Sequence, residues 1–461
     1  MRYSKPSVSV KPPGPRARAL IARDERVVSQ SNWRYLPLVL KGGEGSFIED
    51  VDGNVFLDFG AGAATQVLGI DHPAIKQAIE KQLGELATYQ PIPGYFYNHV
   101  VVELCEKLAE ICPGDRDRKV FLGLSGADAT DSAMKLARWH TKRKRFISFL
   151  GSNHGLGTYG ALSVSGYSSA TIRGFSPLVP EVTHIPYPYP YRWEQEGDPG
   201  EYVLDYLEKY VFQTVAPADE VAGIFVEPIE GDAGVLVPPD DFLRRLQEIC
   251  RRHGIMFIVD EVQTGFGRTG RMFASEQSRL DPDIVLLGKP LGGGTPVSAC
   301  IARREDMDWP HGSHVITGAG HLLGCAGALA MIEAVEKEAV CENARRLGAL
   351  MKRRFQRMQA GHDFIGDVRG RGLLIGLEVV SSKESKRPAA NLARRICKSA
   401  FQRGLLTAHD GLYGNVFRIT PALNISEKLV RMGLDMMEET FAEYRTPRDA
   451  GPASRRSQLK T

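Results

Sequence analysis

The sequence predicts an α/β fold: a mostly parallel sheet held between helices, with smaller α/β parts beside it. Three observations carry that expectation. Compact apolar runs rich in Ile, Val and Phe recur through the middle of the chain, and helical patterns lie between several of them. Two of these runs end in charged residues that are expensive at the edge of a core, and a third runs into the start of a helix. At 461 residues the chain is also too long for one compact core, which points to a large domain with appendages.

Taken in order, Ser46–Phe59 (SFIEDVDGNVFLDF) reads as a hairpin with Asp52-Gly53 at its turn. Helical patterns follow from Pro73 to about Leu83 and from Tyr97 to Ile111. Lys119–Gly123 is a short apolar run that leads through Ser125-Gly126 into a helix from Ala129 to about His140. Arg145–Leu150, Val221–Val226, Ile255–Val259 and Ile284–Leu287 read as buried strands, and Asp241–His253 as a helix between two of them. An Ala-rich helix beyond Gly324 leads into a second, about Glu342 to Ala360. A strand (Leu373–Val380), a helix (Asn391–Arg403), a strand (Val416–Ile419) and a helix from Glu427 then form a separate α/β cap. No internal repeat is present. Both ends read as loose, being rich in Pro and basic or polar residues.

Lys and Arg exceed Asp and Glu by three, a balance that gives no reason to expect nucleic acid or an acidic membrane as partner. No apolar span reaches the roughly twenty residues a bilayer crossing needs. Seven scattered cysteines without a CxxC pair, and an N-terminal stretch without a signal-like apolar core, lead us to expect a reducing, cytoplasmic setting.

The chemistry sits at strand ends, where parallel sheets bind ligands. Ile255–Val259 runs into Asp260-Glu261, two carboxylates that need a cation or a cleft. Ile284–Leu287 runs into Gly288-Lys289 and then Gly292-Gly293-Gly294. A lysine there is an amine at the edge of a core, placed to attack a carbonyl. Lys119–Leu124 runs into Ser125-Gly126-Ala127-Asp128-Ala129, where a helix N-terminus offers free N–H groups to a phosphate. Each has a plainer reading: Ser125, Asp128 or Asp260 as caps, and Lys289 as an exposed strand end. Their coincidence favours a phosphorylated aldehyde cofactor.

These motifs, with EPIEGDAG (Glu227–Gly234), DEVQTGFGRTG (Asp260–Gly270) and GKPLGGG (Gly288–Gly294), resemble the class III aminotransferase family of fold-type I pyridoxal-5′-phosphate (PLP) enzymes from about Arg34 to Phe441. The resemblance implies that Lys289 forms the Schiff base with the cofactor and moves the substrate's α-proton. Asp260 would pair with the pyridinium nitrogen, and Gln263 with the phenolic oxygen. Gly126 and Ala127 would hold the phosphate, joined by Thr317 of a neighbouring subunit. Ser125, Asn153, His154 and Glu227 complete the cofactor-binding set. Arg418 matches an arginine that receives a substrate carboxylate, with a structural salt bridge as its rival. The expected domains are residues 1–90 (N-terminal segment of the small domain), 91–335 (large PLP-binding domain), 336–445 (C-terminal small domain) and 446–461 (disordered tail). The expected partners are a small amino acid or amine and a second copy in a homodimer with shared sites; pairing of two dimers into a tetramer stays open. No metal is expected.

The family contains several reactions, and three features favour a racemase or 2-epimerase. Asp232 stands where the resembling racemases carry an aspartate, and a second proton-transferring group is what racemisation requires. Asp128 replaces a more usual glutamate. The segments Gly366–Val380 and Gly414–Ile425 resemble broad-specificity racemases and isoleucine 2-epimerases. An aminotransferase is the alternative, with Asp232 then a loop carboxylate. Asn153 stands where the family has a stacking aromatic, Glu230 where glutamine is commoner, and His321 near the place of an asparagine.

Overall fold

The computed structural model describes residues 2–86, 95–114 and 117–444. They divide into two compact units, residues 73–344 and residues 2–72 with 345–444. The tail expected over 446–461 lies outside the described residues.

The unit of residues 73–344 is built on a seven-stranded sheet. In chain order its strands are β1 (Arg118–Gly123), β2 (Arg145–Leu150), β3 (Val182–Pro186), β4 (Val221–Val226), β5 (Met256–Asp260), β6 (Ile284–Leu287) and β7 (Ser298–Arg303). Their spatial order is β1-β7-β6-β5-β4-β2-β3. Neighbours from β6 through β3 pair in parallel, and β7 runs antiparallel to both β1 and β6. Side chains alternate between two cores. Ile224, Val226, Phe257 and Val259 enter one; Phe225 and Ile258 enter the other.

Helix α1 (Gly126–Thr141) covers the second core with Ala129, Ala133, Met134, Leu136 and Ala137. Helix α2 (Phe242–His253) covers the first with Phe242, Leu243, Leu246 and Ile249. Because both faces are covered, β4 and β6 carry no polar side chain, and that continuity is what marks them in the sequence. Helix α1 starts three residues before the expected Ala129. Ser125 Oγ accepts from Asp128 N (3.2 Å), while the Asp128 carboxylate accepts from Leu124 N (3.0 Å) and Ser125 N (3.1 Å). This reciprocal cap fixes the first turn.

The other unit joins the two ends of the chain. The hairpin Phe47–Asp50/Val55–Asp58 turns at Asp52-Gly53, where Gly53 adopts φ +89°. The strand Leu405–Leu406 pairs in parallel with Val55–Asp58, which makes the N- and C-terminal segments one unit. A second antiparallel sheet holds Ile365–Arg371, Leu374–Val379, Val416–Ile419 and Ala408–Asp410.

The loose N-terminus expected from composition is corrected. Pro15–Val27 is a helix, and Ser7 bridges Val55 in the hairpin. Proline opens the helix, and the Asp52 carboxylate accepts from Arg16 N and Ala17 N, each at 2.9 Å, in place of a local cap. All seven cysteines are free thiols, and no described helix is long and apolar enough to cross a membrane.

Candidate active site

Five strands running the same way deliver their candidate residues at one end of the sheet. Ser125, Gly126 and Ala127 follow β1; Asn153 and His154 follow β2; Glu227 and Asp232 follow β4; Asp260 ends β5; Lys289 follows β6.

Asp260 is buried at the edge of the core. Its Oδ2 meets His154 Nδ1 at 2.7 Å, and its Oδ1 accepts from Val262 N at 2.9 Å. His154 is itself fixed. Its N–H donates to Ser165 Oγ (3.0 Å), and its carbonyl accepts from Thr130 Oγ1 of α1 (2.7 Å). The neighbouring Glu261 serves structure. Its carboxylate accepts from Ser275 N and Ser275 Oγ, each at 2.7 Å, and from Ala274 N at 3.1 Å, so only Asp260 of the strand-end pair meets His154.

The loop after β4 is tightly closed. Glu230 and Leu236 exchange backbone hydrogen bonds, and Val235, a β-branched residue, is forced to φ +58°. At its start, Glu227 clamps two loops, accepting from Asn153 N (2.8 Å) and Gly231 N (3.1 Å). Burial, with Asp260 nearby, pushes its carboxyl up to about 7. On the loop, Asp232 receives Asn153 Nδ2 at 2.5 Å and Gln263 Nε2 at 3.3 Å.

Lys289 sits half-buried in a short 3₁₀ turn with φ +40°, a conformation a non-glycine residue rarely adopts. Gly288 before it lies against Gly126: a Cβ there would stand 3.4 Å from Gly126 Cα. The lysine is thereby held beside the start of α1. Thr317 is exposed on a turn between Gly312 and His321. That turn is pinned to α1 by His314, whose Nε2 meets Ser132 Oγ (2.8 Å) and whose Nδ1 meets Lys135 Nζ (2.9 Å). Burial, reinforced by Lys135, lowers the His314 pKa to about 4 and keeps the ring neutral as an acceptor for the lysine.

Arg418 belongs to the other unit. Its Nη2 lies 3.0 Å from Asp410 Oδ2, and both side chains are almost wholly buried. Tyr35 OH also donates to Asp410. The salt bridge named as the rival to substrate binding is thus present in this unit.

The residues present fit the cofactor the sequence implies. Gly126 N and Ala127 N precede the first intrahelical bond of α1 (Ala129 N to Ser125 O) and point outward from a positive helix end, as a phosphate requires. Gly126 has no side chain to close that end; a Cβ would come within 3.0 Å of Val262. Asp260 is a fixed carboxylate suited to a protonated ring nitrogen. The buried Gln263 Oε1 has no partner among the described residues.

The sequence marks Glu230 only as standing where glutamine is commoner, and the structure adds its surroundings. Glu230 is fully buried, and neither carboxylate oxygen has a partner among the described residues. Burial, and then Glu227, raise its pKa well above the usual carboxylate range, so it is held as the neutral acid. The unfolded carboxyl ionises near its ordinary pKa of about 4.3 while the folded one does not. The stability this neutral form confers is full below that pH and declines as pH rises towards the folded pKa. Glu230→Gln removes the ionisation. Its unfolding free energy relative to wild type should therefore climb from pH 5 to pH 8, by an amount on the order of 1–3 kcal/mol. A difference that stays flat with pH in calorimetry would show that Glu230 is ionised in the fold.

Comparison with known proteins identifies the family and the cofactor class. The Aminotransferase class-III family model matches residues 28–441. The chain is 43% identical to an alanine/serine racemase of Pyrococcus horikoshii, covering 96% of this chain and 94% of that protein. It is 36% identical to an isoleucine 2-epimerase of Lentilactobacillus buchneri (95% and 98% covered) and 34% identical to a 4-aminobutyrate aminotransferase of Mycobacterium leprae (94% and 97%). Among solved structures, a PLP-bound amine transaminase from an uncultivated Pseudomonas species superposes with a TM-score of 0.82 at 29% identity, covering 96% of this chain and 99% of that one. The chain belongs to the class III aminotransferase family and is a fold-type I enzyme dependent on pyridoxal 5′-phosphate.

Proposed function

We propose that the enzyme inverts the α-configuration of a small neutral amino acid, as a racemase or 2-epimerase. The observation that carries this reading is Asp232, a carboxylate gripped by the Asn153 and Gln263 amides on the loop after β4. Inversion needs two groups able to exchange a proton with Cα. Lys289 supplies one and Asp232 the other. The similarity to an alanine/serine racemase and an isoleucine 2-epimerase supports the same choice and points to neutral side chains.

Bound PLP supplies the electron withdrawal that makes the substrate's Cα–H acidic. The protein's part is positioning and proton transfer. Gly126 and Ala127 N–H groups would hold the phosphate, Asp260 would keep the ring nitrogen protonated, and Gln263 would orient the ring oxygen. Lys289 would hold the cofactor at its aldehyde carbon until the substrate's amino group takes its place, and the amine so released would exchange a proton at Cα. Asp232 takes or returns the proton when the other enantiomer is bound. Thr317, exposed on its turn, reaches the phosphate site of a second copy, so the working form is a homodimer. Seven free thiols accord with a reducing, cytoplasmic setting.

An aminotransferase is the second reading, favoured by the similarity to 4-aminobutyrate aminotransferases. Chiral chromatography separates the two. The PLP-loaded enzyme given L-alanine, L-serine or L-isoleucine without a keto acid should form the D- or allo-product. Product that appears only after a keto acid is added, and as a keto acid, would establish the aminotransferase.

A further inference from the structure

We propose that Asn153 is a positioning residue that holds Asp232 in the orientation inversion requires; this rests on the racemase reading. The amide's direction is determined by its own contacts. Asn153 Oδ1 accepts from Gly155 N at 3.1 Å, so Nδ2 is the atom that faces Asp232 Oδ2, at 2.5 Å.

The backbone under it is equally fixed. Asn153 N donates to Glu227 Oε1, and Ser165 Oγ donates to the Gly155 carbonyl at 3.1 Å. Gly155 adopts φ +124° where a Cβ would stand 2.7 Å from the Ala127 side chain, so the turn closes against α1 only with glycine there. Glu227 holds the start of the Asp232 loop through Gly231 N, so one carboxylate sets the spacing between the Asn153 turn and the Asp232 loop.

Asp232 is therefore met on one oxygen by Asn153 and on the other by Gln263, the Asn153 contact being much the shorter. Amide N–H donors on both oxygens suit a carboxylate, which accepts at both atoms. An aromatic ring at position 153 has no such donor. Asn153 thus exchanges a ring surface for a grip on the second proton-transferring group.

Asn153→Leu removes the amide at similar size. The test follows deuterium entry at Cα in D₂O, scored separately for retained and inverted configuration. It also measures PLP affinity and the absorbance of the bound cofactor between pH 6 and 9. We expect inversion to fall about 10- to 100-fold, within the range for a mispositioned acid–base group. Whatever change PLP affinity and the absorbance titration show, inversion should fall at least tenfold further than exchange with retention. In an Asp232→Asn background, Asn153→Leu should change nothing further, because its effect passes through Asp232.

Unchanged inversion overturns the proposal. So does an equal loss of retained and inverted exchange with weaker PLP binding, which would place Asn153 on the cofactor. Should the leucine variant fail to fold, Asn153→Thr gives the same two ratios. Failure of the unsubstituted enzyme to invert any substrate overturns the racemase reading itself, and is read before any variant is made.

Discussion

Asp232→Asn is expected to lower inversion by about 10²- to 10⁴-fold, the usual contribution of a positioned general acid or base. The substitution keeps the shape of the side chain and removes its ability to exchange a proton. Lys289 is untouched, so exchange at Cα that returns the starting enantiomer should persist. The folded state should persist too, since the loop is closed by the Glu230–Leu236 backbone pair and by Glu227 rather than by Asp232. Rates from each enantiomer, measured by chiral chromatography, check this. Inversion within threefold of wild type would remove Asp232 from the reaction.

The largest expected effect on stability lies in the other unit. Arg418→Leu leaves the Asp410 carboxylate buried without its cation, which costs about 3–5 kcal/mol for a buried pair broken on one side. Pairing it with Asp410→Asn should recover much of the loss, because the uncompensated charge is then gone. Denaturant midpoints of the wild type, the single variant and the double variant give the comparison. A single variant as stable as wild type would mean that the pair contributes nothing to stability.

How much of this was legible in the sequence follows from what each feature depends on. Strands β4 and β6 match their expected limits because a strand buried on both faces is apolar throughout; β2 matches as well, although Arg145 and Ser148 interrupt its apolar run. Strand β7 was not seen. Its sequence, SACIAR, mixes small and polar residues, and its place is set by pairing with β1 and β6. Helix Pro15–Val27 was missed because Ala17 is its one buried residue and its cap, Asp52, comes from a distant hairpin.

In the site, Asp260 and Lys289 stood out as charges at the ends of apolar runs. The links that organise them did not, because each joins segments far apart in the chain: His154 to Asp260, Asn153 to Asp232, Asn153 to Glu227. Asn153 read as a lost stacking partner, since nothing in the local sequence shows where an amide will find its acceptor. The Arg418–Asp410 pair was closer to legible. The two residues lie on adjacent antiparallel strands, where Ala408 stands opposite Arg418, so the register alone brings Asp410 within reach.

The central claim is that Lys289 and Asp232 exchange protons with the same carbon. Its most direct test is to incubate the PLP-loaded enzyme in D₂O with a panel of neutral L-amino acids and no keto acid, followed by chiral mass spectrometry. The expected result is one deuterium at Cα in product of the opposite configuration. Deuterium confined to the unchanged enantiomer, with amino-group loss once a keto acid is supplied, would contradict the claim and make the protein an aminotransferase.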